Sequence, residues 1–113
     1  MSFEDMMKEL QKEYIENLPN KIDLIEGLHT TVDRKGLESA FHKIKGTGKT
    51  YGVPELSILA KVVERICKED KNLNEIIPIS ISLLKKIESS RKEGQEFMIE
   101  TDQEYIEIKK LAA

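Results

Sequence analysis

Apolar residues recur at spacings of three and four along most of the chain, the signature of helices with one buried side. Phe3, Met7, Leu10, Tyr14 and Leu18 define a first amphipathic helix. Pro19 punctuates it, and Ile22, Ile25 and Leu28 begin a second stripe that runs to about Leu28. His29-Thr30-Thr31-Val32 has no periodicity and reads as a connection. Asp33 suits the N-cap of a third helix, since its carboxylate can accept from first-turn amides. In that helix Leu37, Ala40, Phe41, Ile44, Gly48 and Tyr51 gather on one side at about 100° per residue. Gly52 suits a left-handed C-terminal position, and Pro54 the first turn of a fourth helix. Leu56, Leu59, Ala60, Val63 and Cys67 form its buried stripe, and Lys68–Asn72 a polar turn.

Beyond that turn the periods compete. Ile77-Pro78-Ile79-Ser80-Ile81-Ser82-Leu83 alternates as a strand does, yet Ile77, Ile81, Leu84 and Ile87 also satisfy a helix. A lone strand in a helical chain leaves its backbone groups without partners, so a fifth helix is expected, with Pro78 in its first turn. Gly94 ends or interrupts it. Phe97–Ile99 and Tyr105–Ile108 fit either a further helix or a hairpin around Thr101–Glu104. The expected fold is all-α, an antiparallel up-down four-helix bundle with an additional N-terminal helix. Residues 1–93 form the bundle domain and 94–113 a C-terminal extension. With no long heptad seam left over, a monomer is expected.

Composition narrows the function. The 113 residues make one domain, with 35% charged side chains, 5% aromatics and no Trp, as in a small Leu/Ile-cored bundle. A net charge of −3 gives no basic field for nucleic acid. The single cysteine, Cys67, excludes an internal disulfide and falls on an apolar face, where a buried thiol is expected. The acidic N-terminus does not look like a signal peptide, and no apolar run approaches the ~20 residues needed to cross a bilayer. A cytoplasmic location is expected. Lys110-Leu111-Ala112-Ala113 resembles the remnant an expression vector leaves ahead of a tag and is set apart from the fold; the chain would then be a piece of a larger signalling protein.

The candidate chemistry lies on the polar side of the third helix. His42, Lys45, Gly46 and Lys49 gather there, opposite the apolar face. An outward imidazole beside cations suggests an anion, the simplest being a phosphoryl group. His42, Ile44, Lys45, Gly46 and Gly52, with a small residue at 48, resemble the HxxKG-centred signature of histidine-containing phosphotransfer (HPt) domains. Leu56, Ala60 and Glu64 match the first half of the family's next helix, and Leu18-Pro19 with Ile22, Ile25 and Leu28 the helix before; the likeness spans roughly residues 10–90.

The resemblance implies a phosphocarrier rather than an enzyme, with His42 phosphorylated and no cofactor of its own. Its partners would be response-regulator receiver domains, which bring Mg²⁺ and most of the catalytic groups, and in some relays a histidine kinase. Neutral imidazole is a good nitrogen nucleophile near pH 7, and phosphoryl transfer depends mainly on positioning and charge. Lys45 at i+3 can reach the phosphoryl oxygens. Gly46 at i+4 keeps the approach to the ring clear, which offsets a helix penalty of about 1 kcal/mol. Lys49 and Glu38 are accessory candidates, the first attracting an acidic receiver pocket and the second orienting the imidazole. Gly48 serves close helix packing, Tyr51 is a core-edge aromatic, and His29 has no chemical role.

Two other readings compete. Gly46-Thr47-Gly48-Lys49-Thr50 looks like the tail of a phosphate-binding P-loop, but Lys43 stands where the first glycine belongs and no strand precedes it. The remaining alternative is a helical-bundle interaction module that is never phosphorylated.

Overall fold

The computed structural model describes residues 2–113, and every regular element in them is helical. They are α1 (Phe3–Glu16), α2 (Leu18–Thr30), α3 (Arg34–Thr50), α4 (Pro54–Glu69), α5 (Leu73–Lys92), a 3₁₀ turn (Ile99–Thr101) and α6 (Gln103–Ala112). Local chemistry explains most of the boundaries. Ser2 Oγ accepts from the Asp5 amide at 3.1 Å, Asp33 Oδ1 from Gly36 at 2.9 Å, and Asp102 Oδ1 from Glu104 at 2.8 Å. These caps satisfy amides that a helix start leaves unpaired. Gly52, at φ +73°, turns the chain out of α3, and Pro54 opens α4. The expectations for Asp33, Gly52 and Pro54 are met.

The core is formed by α2, α3, α4 and α5, which pack in a closed cycle: α2 on α3, α3 on α4, α4 on α5, and α5 back on α2. Leu18, Ile25, Phe41, Ile44, Leu56, Leu59, Ile66, Ile77, Leu84 and Ile87 are all fully enclosed there. The closest seam joins α3 to α4. A methyl on Gly48 would stand 2.7 Å from Ser57 Oγ and 3.1 Å from Leu56 Cβ, so only hydrogen fits. Ser57 Oγ in turn donates to the Lys45 carbonyl at 2.7 Å.

Several expectations are corrected. Leu18 belongs to α2, and of the first stripe Phe3 and Leu10 are exposed, because α1 finds neighbours in α2 and α5 only toward its C-terminal half, where Tyr14 and Ile15 are buried. His29 and Thr30 are helical, and the connection shrinks to residues 31–33. Thr30 Oγ1 donates to the Glu26 carbonyl at 2.9 Å, in the last turn of that helix. α5 starts at Leu73, so Pro78 lies inside it rather than in its first turn. Pro78 faces solvent, where water can satisfy the carbonyl its missing amide leaves free.

Residues 103–112 are a helix, so the hairpin option falls. Ile99, Tyr105, Ile108 and Ala112 are buried against α4 and α5, so the extension is packed structure, and Lys110, Leu111 and Ala112 continue the helix. The segment leading to it is clamped by Glu55, which is 1% exposed. Glu55 accepts from Arg91 Nη2 at 2.7 Å, from Arg91 Nε at 2.8 Å and from the Phe97 amide at 2.9 Å. No helix among the described residues is long and apolar enough to cross a membrane.

Candidate functional site

His42 is outward because its neighbours are inward. Phe41 and Ile44 are buried to 1% or less, so the helical period turns the imidazole to solvent, where its side chain is 66% exposed. Exposure alone would leave the ring free to rotate. The ring is instead held by α4: His42 Nδ1 lies 2.9 Å from Glu64 Oε1. Glu64 is buried, its side chain 6% exposed, at the margin of the apolar stripe that packs α4 on α3.

The same carboxylate holds two lysines. Lys45 Nζ lies 2.7 Å from Oε2, and Lys68 Nζ is 3.6 Å from Oε1. Burial pushes the Glu64 carboxyl up, but the hydrogen bonds from Lys45 and His42 outweigh it and bring the pKa down to about 2. Glu64 is therefore ionised at neutral pH and can only accept hydrogen bonds. It follows that Nδ1 carries the ring proton and donates it to Glu64, so Nε2 keeps a free lone pair on the far side of the ring.

The other candidates fall out as follows. A Cβ added at Gly46 would meet nothing within 4 Å, so the surface one turn past His42 is open. Lys45 is on the same face but bound to Glu64, and Lys49 is exposed and makes no ion pair among the described residues. Glu38 is half-buried and does not reach the imidazole; the carboxylate that orients His42 is Glu64. Sequence reasoning placed Glu64 in the family pattern without giving it a role. The available signal was a charge recurring with Leu56 and Ala60 at i, i+4, i+8, on a buried stripe where a carboxylate needs a partner.

Outside this cluster, His29 lines a cavity of about 360 Å³ with Arg34, Asp70 and Asn72, away from His42. Tyr51 is half-buried and stacks on Tyr14 with ring centroids 4.9 Å apart. Cys67 is buried, and burial pushes its thiol up to about 12. Gly46–Thr50 is regular helix, so its amides are committed to the helical ladder and form no phosphate-cradling loop.

The family model described as Hpt domain matches residues 9–93. Comparison with curated proteins and with solved structures returns no match.

Proposed function

The chain belongs to the Hpt domain family, phosphocarriers of two-component signalling, and on that premise we propose that His42 Nε2 is the phosphoryl-accepting atom. The observation that carries this reading is the exposed imidazole anchored through Nδ1 by a buried, ionised Glu64. In transfer from a receiver, the Nε2 lone pair attacks phosphorus and the bond to the aspartate oxygen breaks, releasing the aspartate as carboxylate. The Nδ1 proton stays on its hydrogen bond to Glu64, whose negative charge offsets the positive charge the ring acquires. Passing the group to a second receiver aspartate is the reverse of the same step, and an upstream kinase is an alternative donor.

Lys45 stabilises charge on the phosphoryl oxygens by exchanging Glu64 for them. Gly46 leaves room for the receiver surface, and Lys49 adds attraction that salt would screen. Three-residue connections at 31–33, 51–53 and 70–72 support an antiparallel up-down arrangement of α2 to α5 around which α1 is the additional helix. The domain acts as a monomer in the cytoplasm, where receiver domains reside.

The test is incubation with phosphorylated receiver domains, scored for acid-labile, base-stable label. Wild type should label and His42→Gln should not, with an unchanged helical spectrum because the side chain faces solvent. Label retained by His42→Gln would overturn the assignment.

A further inference from the structure

Where the connections 31–33 and 70–72 meet, four ionisable side chains line one cavity of about 360 Å³: His29, Arg34, Asp70 and Glu75. None of the four forms an ion pair with another, or with any other of the described residues. Glu55 and Glu64, by contrast, hold cations of their own. The cavity is separate from the phosphoacceptor: Arg34 precedes His42 by eight residues, a rise of about 12 Å along α3.

Arg34 is the fixed end of this set. It is half-buried, and its Nη1 donates to the Cys67 carbonyl near the end of α4 at 3.0 Å. A guanidinium carries its N–H donors in one rigid plane, so those not used on Cys67 are available to a second acceptor. A carboxylate, with two oxygens, matches that fork. Asp70 and Glu75 have the opposite demand: ionised, they only accept, and they call for a donor such as an ammonium. Asp70 closes α4 at φ +52°, and its amide donates to the same Cys67 carbonyl at 3.3 Å. One carbonyl thus anchors both the guanidinium and the backbone that carries the nearest carboxylate. Leu37, 2% exposed, and Leu73 supply apolar lining. Val32 adds to it at the exposed rim, at φ +55°, a conformation that a β-branched residue adopts only at a cost.

We propose that this cavity binds the zwitterion of an apolar α-amino acid. The carboxylate takes the free donors of Arg34, the ammonium donates to Asp70 and Glu75, and the side chain lies against Leu37 and Leu73. Neither charge alone fits. A simple carboxylate sets its charge beside two like ones, and a simple amine leaves the guanidinium donors unmatched and brings a second cation to them. The volume lies at the low end of the roughly 300–1,000 Å³ of small-molecule sites, which suits a ligand of this size. The site requires no phosphoryl chemistry, so it stands apart from the reading of His42.

The experiment is a titration of the full chain with L-leucine, followed by the amide cross-peaks in nitrogen–proton NMR spectra. The shifts should saturate and centre on residues 29–37 and 70–75. Isocaproate, which is leucine without its ammonium, and isoamylamine, which is leucine without its carboxylate, should each bind roughly tenfold more weakly. The double variant Asp70→Asn/Glu75→Gln keeps the shape of both exposed side chains, and asparagine tolerates the left-handed backbone at residue 70. It should fold as wild type and lose leucine affinity roughly tenfold, while isocaproate binds no worse. Absence of saturable leucine shifts overturns the site, and shifts centred elsewhere overturn its place. Isocaproate or isoamylamine binding as tightly as leucine overturns the zwitterion, leaving an anion site or a cation site respectively. Unchanged leucine affinity in the double variant overturns the role of the two carboxylates.

Discussion

Glu55 and Glu64 are buried carboxylates on one helix, nine residues apart, and they are used in opposite ways. Every donor to Glu55 is itself tied into the protein: both Arg91 contacts come from one planar guanidinium, and the third is the Phe97 amide. That set has no second use, so the pair is a clamp between α4, α5 and the chain leading to α6. The donors to Glu64 are a solvent-facing imidazole and lysines that can swing to another anion. Arg gives a fixed bidentate fork, whereas Lys gives a movable point charge. A buried carboxylate thus reads as structural or functional according to whether its partners can leave.

The sharpest way to break the contrast is to remove each carboxylate. Glu64→Ala frees the imidazole to rotate and should slow transfer by on the order of a hundredfold, as loss of positioning does. Its cost in stability should be smaller than that of losing Glu55, because His42, Lys45 and Lys68 reach solvent and are free to hydrate. Glu55→Gln should do the reverse. It leaves the Arg91 charge uncompensated at a nearly closed site, with one amide oxygen in place of two carboxylate acceptors, should lower stability by about 3 kcal/mol in denaturant unfolding, and should leave labelling of His42 by the small donor phosphoramidate unchanged. A Glu64→Ala variant that transfers at the wild-type rate would remove the functional half of the comparison.

Lys45→Ala sharpens it further. Docking should hold, while the transfer rate falls roughly tenfold, less than for a lone preorganised donor because the receiver brings charges of its own. Smaller still is the effect at Gly46. Gly46→Ala should be neutral or slightly stabilising, since a Cβ there meets nothing and alanine is the better helix former by about 1 kcal/mol. Gly46→Gln should fold normally and slow transfer from a receiver a few-fold (about 1 kcal/mol or less in barrier), but leave phosphoramidate labelling alone. Equal rates with the receiver would show that this glycine does not clear the approach to His42.

Acid separates the two carboxylates last. Both are held below the ordinary range; at each, burial raises the carboxyl and its hydrogen bonds more than compensate. A depressed folded-state value means stability that is present above the unfolded pKa and lost as pH falls through the folded one. For Glu64 that window runs from 4.5 down to about 2. Unfolding followed across it should lose less pH dependence in Glu64→Gln than complete flattening, because Glu55 titrates in the same direction.

The polar and apolar faces of α3 were legible because both follow from one period on one helix: Phe41 and Ile44 inward, His42 outward. Glu64 was not, since its role depends on which turn of α4 meets His42, a tertiary fact absent from either stripe. α1 shows the converse failure. Its period was right, but periodicity cannot say how far along a stripe the neighbouring helices extend, so Phe3 and Leu10 were expected inside. Pro78 was placed early because proline favours a first turn; here its exposed side of α5 tolerates it. Residues 97–108 are too short and mixed for period to separate helix from hairpin, and burial of Tyr105 and Ile108 against α5 decides it.

The Tyr14–Tyr51 stack has a spectroscopic consequence. The chain has no Trp and only 3 Tyr, and two of those three are the stacked pair that joins α1 to the end of α3. Near-ultraviolet circular dichroism of the unlabelled protein is therefore dominated by a coupled chromophore at one known place. Any change that parts α1 from the end of α3 would therefore be read directly as loss of that coupled signal.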